Sequence, residues 1–351
     1  MSPENKVMTA KEAVSKFVKD GDLFCTANFL HCIPYALIHE VIRQQKKDLT
    51  LCSSSSIEEM DELLSGGCTS KIITTYYHRA GGRRYKRELD RKLFENEVEI
   101  EDYTNFSMTT RFMAGALGYE FMPVMKSVKE ADVFRKRTLE GDNKFKVIES
   151  PFSGKETVLV PAINPDVAVV HVQRADKYGN AQMWGNSTVV KWCALSAKKI
   201  IVSCEEIVDH EKIKRSPFLT VVPAFRTSAV CEIPWGSHPS PVAGYYNTDI
   251  TFRSFYFANA LSNISNQKWI EEWVLERKDR ADYIEHYIER FTEEPLDVLK
   301  VNEFMSDSVN LGYKQKYWKY NERVGGEFLH KLAQTREEYN EKLKEYGELD
   351  L

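Results

Sequence analysis

Short apolar runs and helix-spaced apolar positions alternate along the opening of the chain. A helix is predicted over 9–18, because Thr9 and Glu12 have capping-box spacing and the apolar residues that follow share one face. The apolar run 23–26 predicts a strand, and Pro34 suits the first residue of a second helix. The first forty residues therefore predict helix, strand and helix in that order.

The same alternation continues through the middle of the chain. Further strands are predicted at 48–52, 70–77, 157–160, 166–172 and 199–203, and further helices over 106–117 and 189–198. Repeated strand–loop–helix units predict an α/β fold, with an open, largely parallel sheet and helices on both faces. Ligands of such sheets bind at the carboxyl ends of the strands. A site is therefore sought in the loops 25–33, 52–57, 74–84 and 173–187.

The composition changes towards the C-terminus. After about residue 265 the pattern becomes amphipathic and helical, and then charged and aromatic. Two regions are predicted: an α/β domain over 1–290 and a helical, charged C-terminal extension over 291–351. The amphipathic pattern of the extension suits packing on the core or on a partner protein, and a free surface helix is the alternative.

Length and charge narrow the classes of protein that fit. The 351 residues are 42% hydrophobic and 12% aromatic, enough for a sizeable core, and the net charge of −4 points to neither nucleic acid nor a membrane. The seven cysteines are scattered and form no C-x-x-C pair, which favours reduced, buried thiols. No signal peptide or membrane span is apparent, so a cytoplasmic protein is expected.

Several catalytic signatures are absent from the sequence. There is no G-x-G-x-x-G fingerprint after a strand, no P-loop and no G-x-S-x-G elbow. The eight histidines form no H-E-x-x-H pair, and no metal site is expected. A complete catalytic apparatus is thus not visible within this single chain.

A few polar segments remain as candidates for binding. The run 53–56 is four serines that could offer hydroxyls to a ligand or simply cap the next helix, and 25–29 has small residues after a strand. The segment 78–92 is rich in arginine and lysine, which bind carboxylates and phosphates, although a solvated helix face is the plainer interpretation. His31 and His78 are more often structural than catalytic in such positions.

The turn that follows the apolar run 166–172 is polar and specific. Asp176, Gly179 and Asn180 suit a tight turn in which Gly179 and Asn180 have positive φ, after which a strand resumes over 182–184. Asp176 and His171 could suggest acid–base chemistry. The turn is nevertheless predicted to be structural.

Beyond these patterns, the chain resembles a known family, the family I coenzyme A transferases, and most closely the alpha subunit of glutaconate CoA-transferase. The D-x-x-G-N turn at Asp176 and the GSHPS segment at 236–240 are the strongest markers in combination. The resemblance covers about residues 6–290. The segments that carry it, in the family's order, are 6–22, 33–51, 99–124, 160–185, 198–215 and 232–246.

The resemblance implies that this chain is one subunit of a two-subunit enzyme. In this family a glutamate of the beta chain, within an S-E-N-G-like motif, attacks the acyl thioester, and CoA then passes through a glutamyl thioester. The chain described here has no such motif, so no catalytic residue is expected in it. The implied partner is a beta-type subunit, in a heterodimer or a higher assembly such as a heterotetramer or heterooctamer. The implied substrates are a coenzyme A thioester and carboxylates, with no permanently bound cofactor.

The resemblance also implies which residues form one wall of the active site. The family's glycine-rich loop corresponds to 26–29, but the glycine pair is absent here and the loop to Pro34 is one residue shorter. Backbone N–H groups and the Asn28 side chain are expected to stabilise the thioester oxyanion. Arg79 is a candidate for a substrate carboxylate or a CoA phosphate. The expected pocket residues are Thr26, Ala27, Asn28, Phe29, Ser53, Ser54, Ser55, Tyr77, Arg79 and Asn105.

Two other functions stay open at this point. One is a hydrolase: some relatives of the same fold hydrolyse CoA thioesters and open rings, and they use an acidic residue of the alpha chain. That residue would fall near Asn105. The Asn105 amide cannot replace a carboxylate, although Glu101 or Asp102 could. A non-catalytic relative that binds CoA esters is the third possibility.

Overall fold

The computed structural model describes residues 4–56, 58–77, 88–187, 189–259 and 263–301. Its strands are β1 Leu23–Thr26, β2 Leu49–Cys52, β3 Thr69–Thr74, β4 Glu99–Asp102, β5 Phe121–Val124, β6 Lys146–Glu149, β7 Glu156–Pro161, β8 Val167–Ala175, β9 Ala181–Gln182, β10 Lys199–Ile207, β11 Thr220–Val222 and β12 Ala229–Glu232. Its α-helices are α1 Ala10–Phe17, α2 Tyr35–Arg43, α3 Glu58–Ser65, α4 Glu88–Phe94, α5 Asn105–Leu117, α6 Asp132–Arg135, α7 Val190–Ser196, α8 His210–Lys214, α9 Ile250–Asn259, α10 Asn263–Ile270, α11 Arg280–Phe291 and α12 Glu294–Leu299. Three short 3₁₀ helices and one π-helical turn are also present: Lys126–Glu130, Gly141–Asn143, Pro217–Leu219 and Glu271–Leu275.

Nine of these strands form one largely parallel sheet. Strand β1 pairs in parallel with β2 and with β8, β2 with β3, and β3 with β4. On the other side β8 pairs in parallel with β10, and β10 with β12. The short strands β9 and β11 are antiparallel additions beyond the end of β1. The α/β fold with an open, largely parallel sheet is therefore confirmed.

Local sequence signals explain the ends of the first helices. The Thr9 side chain caps α1, and the Glu12 carboxylate returns a bond to the Thr9 backbone, which completes the predicted capping box. Helix α5 has an analogous box, in which Thr104 and Ser107 exchange side-chain and backbone bonds. It ends at Gly118, whose φ of 77° is the left-handed conformation that glycine adopts readily.

The predicted strand at 157–160 exists, but it does not belong to the parallel core. It is part of β7, the central strand of a separate three-stranded antiparallel sheet in the order β5–β7–β6. Val158 and Val160 are fully buried, and helix α5 packs against β5 and β7. An apolar run of this length is compatible with either kind of sheet, and only its pairing partners decide between them.

The turn after β8 is held by one buried carboxylate. Asp176 Oδ1 accepts the backbone N–H groups of Tyr178, Gly179 and Asn180 at 2.9–3.0 Å. Gly179 has the predicted positive φ, 104°, but Asn180 does not. The Asn180 side chain instead donates to Asp176 Oδ2 at 2.7 Å and accepts the backbone N–H of Ala224 at 3.0 Å. The positive φ expected at Asn180 was wrong, because Asn180 contributes to the turn through the hydrogen bonds of its side-chain amide and not through a left-handed backbone. The strand that resumes is shorter than predicted, Ala181–Gln182.

Replacing Gly179 by alanine is expected to destabilise the fold by about 2–4 kcal/mol, the sum of left-handed strain and overpacking. A Cβ at Gly179 would lie 2.6 Å from the Thr227 Cβ, and the φ of 104° disfavours any side chain. Urea denaturation of Gly179→Ala measures the loss. Gly21→Ala is the matched control, since Gly21 has φ 81° but open space around it, and it should lose only about 1 kcal/mol. Equal losses would contradict the packing part of this explanation.

The C-terminal part of the described chain is helical and aromatic. Helix α11 ends at Phe291, and in α12 the side chains of Leu296 and Leu299 are buried. Residues 302–351, most of the predicted extension, lie outside the described residues. The division at residue 290 stays a prediction. All seven cysteines are buried and free, as predicted. Of the described helices, none is both long and apolar enough to cross a membrane.

Candidate active-site edge

The loops that follow β1, β2, β3 and β4 meet at the carboxyl edge of the sheet. The rings of Phe29 and Tyr76 pack edge to face, with centroids 6.1 Å apart. Ser55 and Tyr76 form an isolated parallel bridge, and the Ser56 N–H donates to the Tyr76 carbonyl at 3.1 Å. The loop after β1 is thus joined through the loop after β3 to the serine loop. We refer to this region as the carboxyl edge.

Threonine 75 connects three of these loops. Its hydroxyl is within hydrogen-bonding distance of both the Ser54 carbonyl and the Asn105 Oδ1. A hydroxyl has a single proton, so both bonds form together only if the Asn105 amide turns its NH₂ group towards Thr75. Asn105, predicted as a wall residue, is exposed at the first position of α5. Thr75 was not among the predicted pocket residues, because the sequence predicted a strand over 70–77, whereas β3 ends at Thr74.

The serines of the loop after β2 differ in exposure and bonding. Ser53 is fully buried and its hydroxyl bonds the Thr74 hydroxyl at 3.1 Å. Ser55 donates to the Ser54 carbonyl at 2.8 Å and is almost fully buried. Ser54 is only partly buried. Of the three predicted serines, Ser54 is therefore the one best placed to reach a ligand.

The last residue of β1 and the first two residues of the loop after it are too buried to contact a ligand in this structure. Thr26, Ala27 and Asn28 are each 1–3% exposed. The Asn28 side chain accepts the backbone N–H of His171 at 3.1 Å and donates to the His171 carbonyl at 3.1 Å. Its amide, expected to stabilise an oxyanion, is instead used to tie β1 to β8. Phe29, by contrast, is partly exposed at the carboxyl edge.

Two of the predicted wall residues, Tyr77 and Arg79, follow β3 along the chain. Tyr77 is partly buried and packs against the core. Arg79 lies outside the described residues, as do His78 and the following residues to 87. The role expected for Arg79 stays a prediction.

A histidine that the sequence shows only as a lone residue fixes the loop after β1. His31 is buried, its Nδ1 lies 3.0 Å from the Asn186 carbonyl, and its Nε2 accepts the Ala243 N–H at 3.0 Å. Burial lowers the pKa of His31 to about 4, so the ring is neutral at neutral pH, with Nδ1–H as the donor. No sequence signal pointed to these partners, because they are 155 and 212 residues away.

His171, the other histidine considered, sits within the sheet. Its ring bonds Ser203 Oγ at 2.9 Å and Glu205 Oε1 at 2.8 Å, and Glu205 also accepts the Tyr246 hydroxyl at 2.6 Å. The order serine–histidine–glutamate is that of a hydrolytic triad. His171 and Ser203 are fully buried, however, so no substrate reaches them in this structure.

The carboxyl edge is poor in carboxylates. The loops 27–34, 53–57, 75–87 and 103–105 contain no aspartate or glutamate at all. The acids that flank these loops along the chain are Glu58, which is buried and paired with Arg253, Glu88 at the start of α4, and Glu101 and Asp102 at the end of β4.

Glu101 is a structural residue. Its Oε1 is 2.6 Å from Lys144 Nζ, both side chains are fully buried, and its Oε2 accepts the backbone N–H groups of 138–140 at 2.7–3.1 Å. Burial by itself would raise the pKa of Glu101, but Lys144 and the backbone donors outweigh it and hold that pKa below its ordinary value. Both carboxylate oxygens are thus occupied. Asp102 lies 3.4 Å from the Lys136 ammonium.

Comparison with known proteins identifies the family. The family model described as coenzyme A transferase matches residues 7–232. The chain belongs to the coenzyme A transferase family. It is 35% identical over 280 residues to the A-type subunit of the 3-oxoadipate CoA-transferase of Pseudomonas knackmussii, covering 79% of this chain and 96% of that one. It is 33% identical over 292 residues to the A-type subunit of the glutaconate CoA-transferase of Acidaminococcus fermentans, covering 80% and 91%.

A solved structure agrees with this assignment to the coenzyme A transferases. The crystal structure of the Acidaminococcus fermentans glutaconate CoA-transferase superimposes with a TM-score of 0.76 at 31% identity, covering 84% of this chain and 96% of that one. A third relative, an uncharacterized protein of Archaeoglobus fulgidus, is 36% identical over 283 residues, and the match spans 62% of its length. As a coenzyme A transferase, this chain is of the alpha type, and the naming of its relatives as one of two kinds of subunit implies a partner.

No metal site accompanies the carboxyl edge within the part of the chain that the structure describes. There, no group of three or more histidine, cysteine, aspartate or glutamate side chains is arranged to hold a metal ion.

Proposed function

We propose that this alpha-type chain forms one wall of a CoA-transferase active site and that a beta-type partner supplies the glutamate nucleophile. The observation that carries the proposal is the absence of any aspartate or glutamate from the loops of the carboxyl edge. Acyl exchange by this route needs an accessible carboxylate, and the flanking acids Glu58, Glu101 and Asp102 are buried or paired. The carboxylate must then come from another chain.

In the proposed reaction the partner's carboxylate attacks the acyl carbonyl of the thioester. The C–S bond breaks, CoA leaves as the thiolate, and an acyl–glutamyl anhydride forms. The thiolate attacks the glutamyl carbonyl of the anhydride, releasing the first carboxylate and forming a glutamyl–CoA thioester. A second carboxylate attacks that thioester, and the two steps run in reverse to give the new acyl-CoA. No oxidant, reductant or metal is needed.

The residues proposed to face the substrate are those that are exposed or partly exposed at the carboxyl edge. They include Phe29, Ser54, Tyr76 and Asn105, together with Thr75, which links their loops. Backbone N–H groups of the loop after β1 are proposed as oxyanion donors, in place of the Asn28 amide. Arg79 is retained as a proposed ligand of a substrate carboxylate or a CoA phosphate. The cellular location proposed for the protein is the cytoplasm.

The test is an assay of the purified two-subunit complex with an acyl-CoA, in the presence and absence of acetate. A transferase forms acetyl-CoA only when acetate is present and releases no free thiol without it. Thiol release without an acceptor would instead identify a hydrolase of the same fold. Neither reaction, with tight binding of the acyl-CoA, would identify a non-catalytic relative. Two observations support the first outcome: Glu101 is buried and paired with Lys144, and Asp102, the other acid that a hydrolase could use, is paired with Lys136.

A further inference from the structure

The loop after β1 contains an exposed leucine in a strained backbone conformation. Leu30 has a φ of 59° and is 42% exposed, and Cys32, two residues on, has a φ of 55°. Residues other than glycine, asparagine and aspartate seldom adopt this left-handed region. Leu30 thus combines backbone strain with an apolar side chain in solvent, and neither contributes to stability. Such positions persist where the surrounding structure holds them and cluster at binding sites.

Three bonds on the far side of the loop hold this conformation. The His31 ring is fixed between the Asn186 carbonyl and the Ala243 N–H, both at 3.0 Å. The Cys32 N–H donates to the Pro241 carbonyl at 2.9 Å. Gly185 fits tightly against the ring, since a Cβ there would lie 3.2 Å from His31 Cε1. Leu30 is therefore presented by a backbone that is fixed before any ligand arrives.

On the other side, the loop continues into the carboxyl edge. Phe29 packs its ring against Tyr76, which is 37% exposed. Phe29, Leu30 and Tyr76 together form what we call the apolar rim. The groups next to the rim within the described residues are the hydroxyl of Thr75 and the backbone of the serine loop. The exposed parts of Leu30 and Tyr76 offer apolar surface that an alkyl chain can cover.

We propose that Leu30 contacts the acyl chain of the thioester and makes the site prefer acyl groups with an apolar chain over acetyl. This inference rests on the proposed function, because it takes the carboxyl edge as the acyl-binding wall. It goes beyond that function by assigning the class of acyl group and the residue that selects it. The strain at Leu30 is then retained because it directs an apolar side chain at the ligand from a rigid loop.

The experiment measures binding rather than turnover, so that it is independent of whether the enzyme transfers or hydrolyses. Hexanoyl-CoA and acetyl-CoA are titrated into the two-subunit complex by calorimetry. The unmodified complex should bind hexanoyl-CoA at least about tenfold more tightly, given the apolar surface that four extra methylenes bury. In Leu30→Gly that ratio should fall below about threefold, while the Tm stays within about 2 °C because glycine relieves the left-handed strain.

The matched control is Gln45→Gly. Gln45 has a similar φ of 52° but lies in the turn before β2, at the amino end of the sheet. It should keep the full preference for hexanoyl-CoA. An unmodified complex without preference, or a preference that survives Leu30→Gly, would overturn the proposal. Loss of the complex in Leu30→Gly, seen by size-exclusion chromatography, would overturn it too and assign Leu30 to the interface between the subunits. Failure of the proposed transferase function shows separately, in the acetate assay.

Discussion

Purified without its partner, this chain is expected to exchange CoA between carboxylic acids at least about 10⁴-fold more slowly than the two-subunit complex, as expected when a nucleophile is missing. The loops of its carboxyl edge offer hydroxyls, amides and aromatic rings but no carboxylate. Such groups can bind and orient a thioester, but none can form the acyl anhydride. The measurement is the initial rate of acetate-dependent exchange, first with the chain alone and then with the partner added back.

Asp102→Asn in the intact complex is the control for a hidden nucleophile. Asp102 is the last residue of β4 and the partly exposed carboxylate closest along the chain to Asn105. Its only ion pair within the described residues is with the exposed Lys136 at 3.4 Å, so kcat/KM should change by no more than about threefold. Exchange by the chain alone, or its abolition by Asp102→Asn in a complex that still assembles, would place the nucleophile in this chain.

Lys144→Met is expected to lower the free energy of unfolding by about 3–5 kcal/mol, the usual penalty for leaving a buried charge without its partner. The Lys144 ammonium and the Glu101 carboxylate are 2.6 Å apart and both 0% exposed. Lys144 also donates to the Lys136 carbonyl at 2.8 Å. The pair fixes the segment 136–145 against β4, directly before the Tyr103–Asn105 part of the carboxyl edge. Urea denaturation followed by circular dichroism measures the loss.

A surface pair gives the matched control for this prediction. Lys198 Nζ lies 2.7 Å from Asp166 Oδ1, nearly the same distance, but Lys198 is 65% exposed. Lys198→Met should therefore change the free energy of unfolding by less than about 1 kcal/mol. Adding Glu101→Gln to Lys144→Met should recover part of the loss, because no charge then remains buried and the amide oxygen can still accept the backbone N–H groups of 138–140. Comparable effects of the two single variants would show that burial of the Lys144 pair does not decide its contribution.

Much of the architecture follows from local sequence. The capping box of Thr9 and Glu12, the helix that ends at Gly118 and the short apolar strands are where the pattern predicts them. Each depends on residues within a few positions of one another, so a single stretch of sequence contains the whole signal. The likeness to the coenzyme A transferases was also visible in the sequence, and the family model and the solved relative confirm it. The lack of acidic residues in the edge loops needs no coordinates either.

The tertiary structure decided which side chains remain available for function. Sequence places Asn28 in a candidate oxyanion loop, but the amide is bonded to the backbone of His171, 143 residues away. It leaves Glu101 open as a possible nucleophile, but Lys144 and three backbone donors occupy it. It gives no hint that His31 fixes the strained loop that presents Leu30. Local pattern determines which elements form, whereas the partners of a polar group come from distant segments that meet only when the sheet assembles.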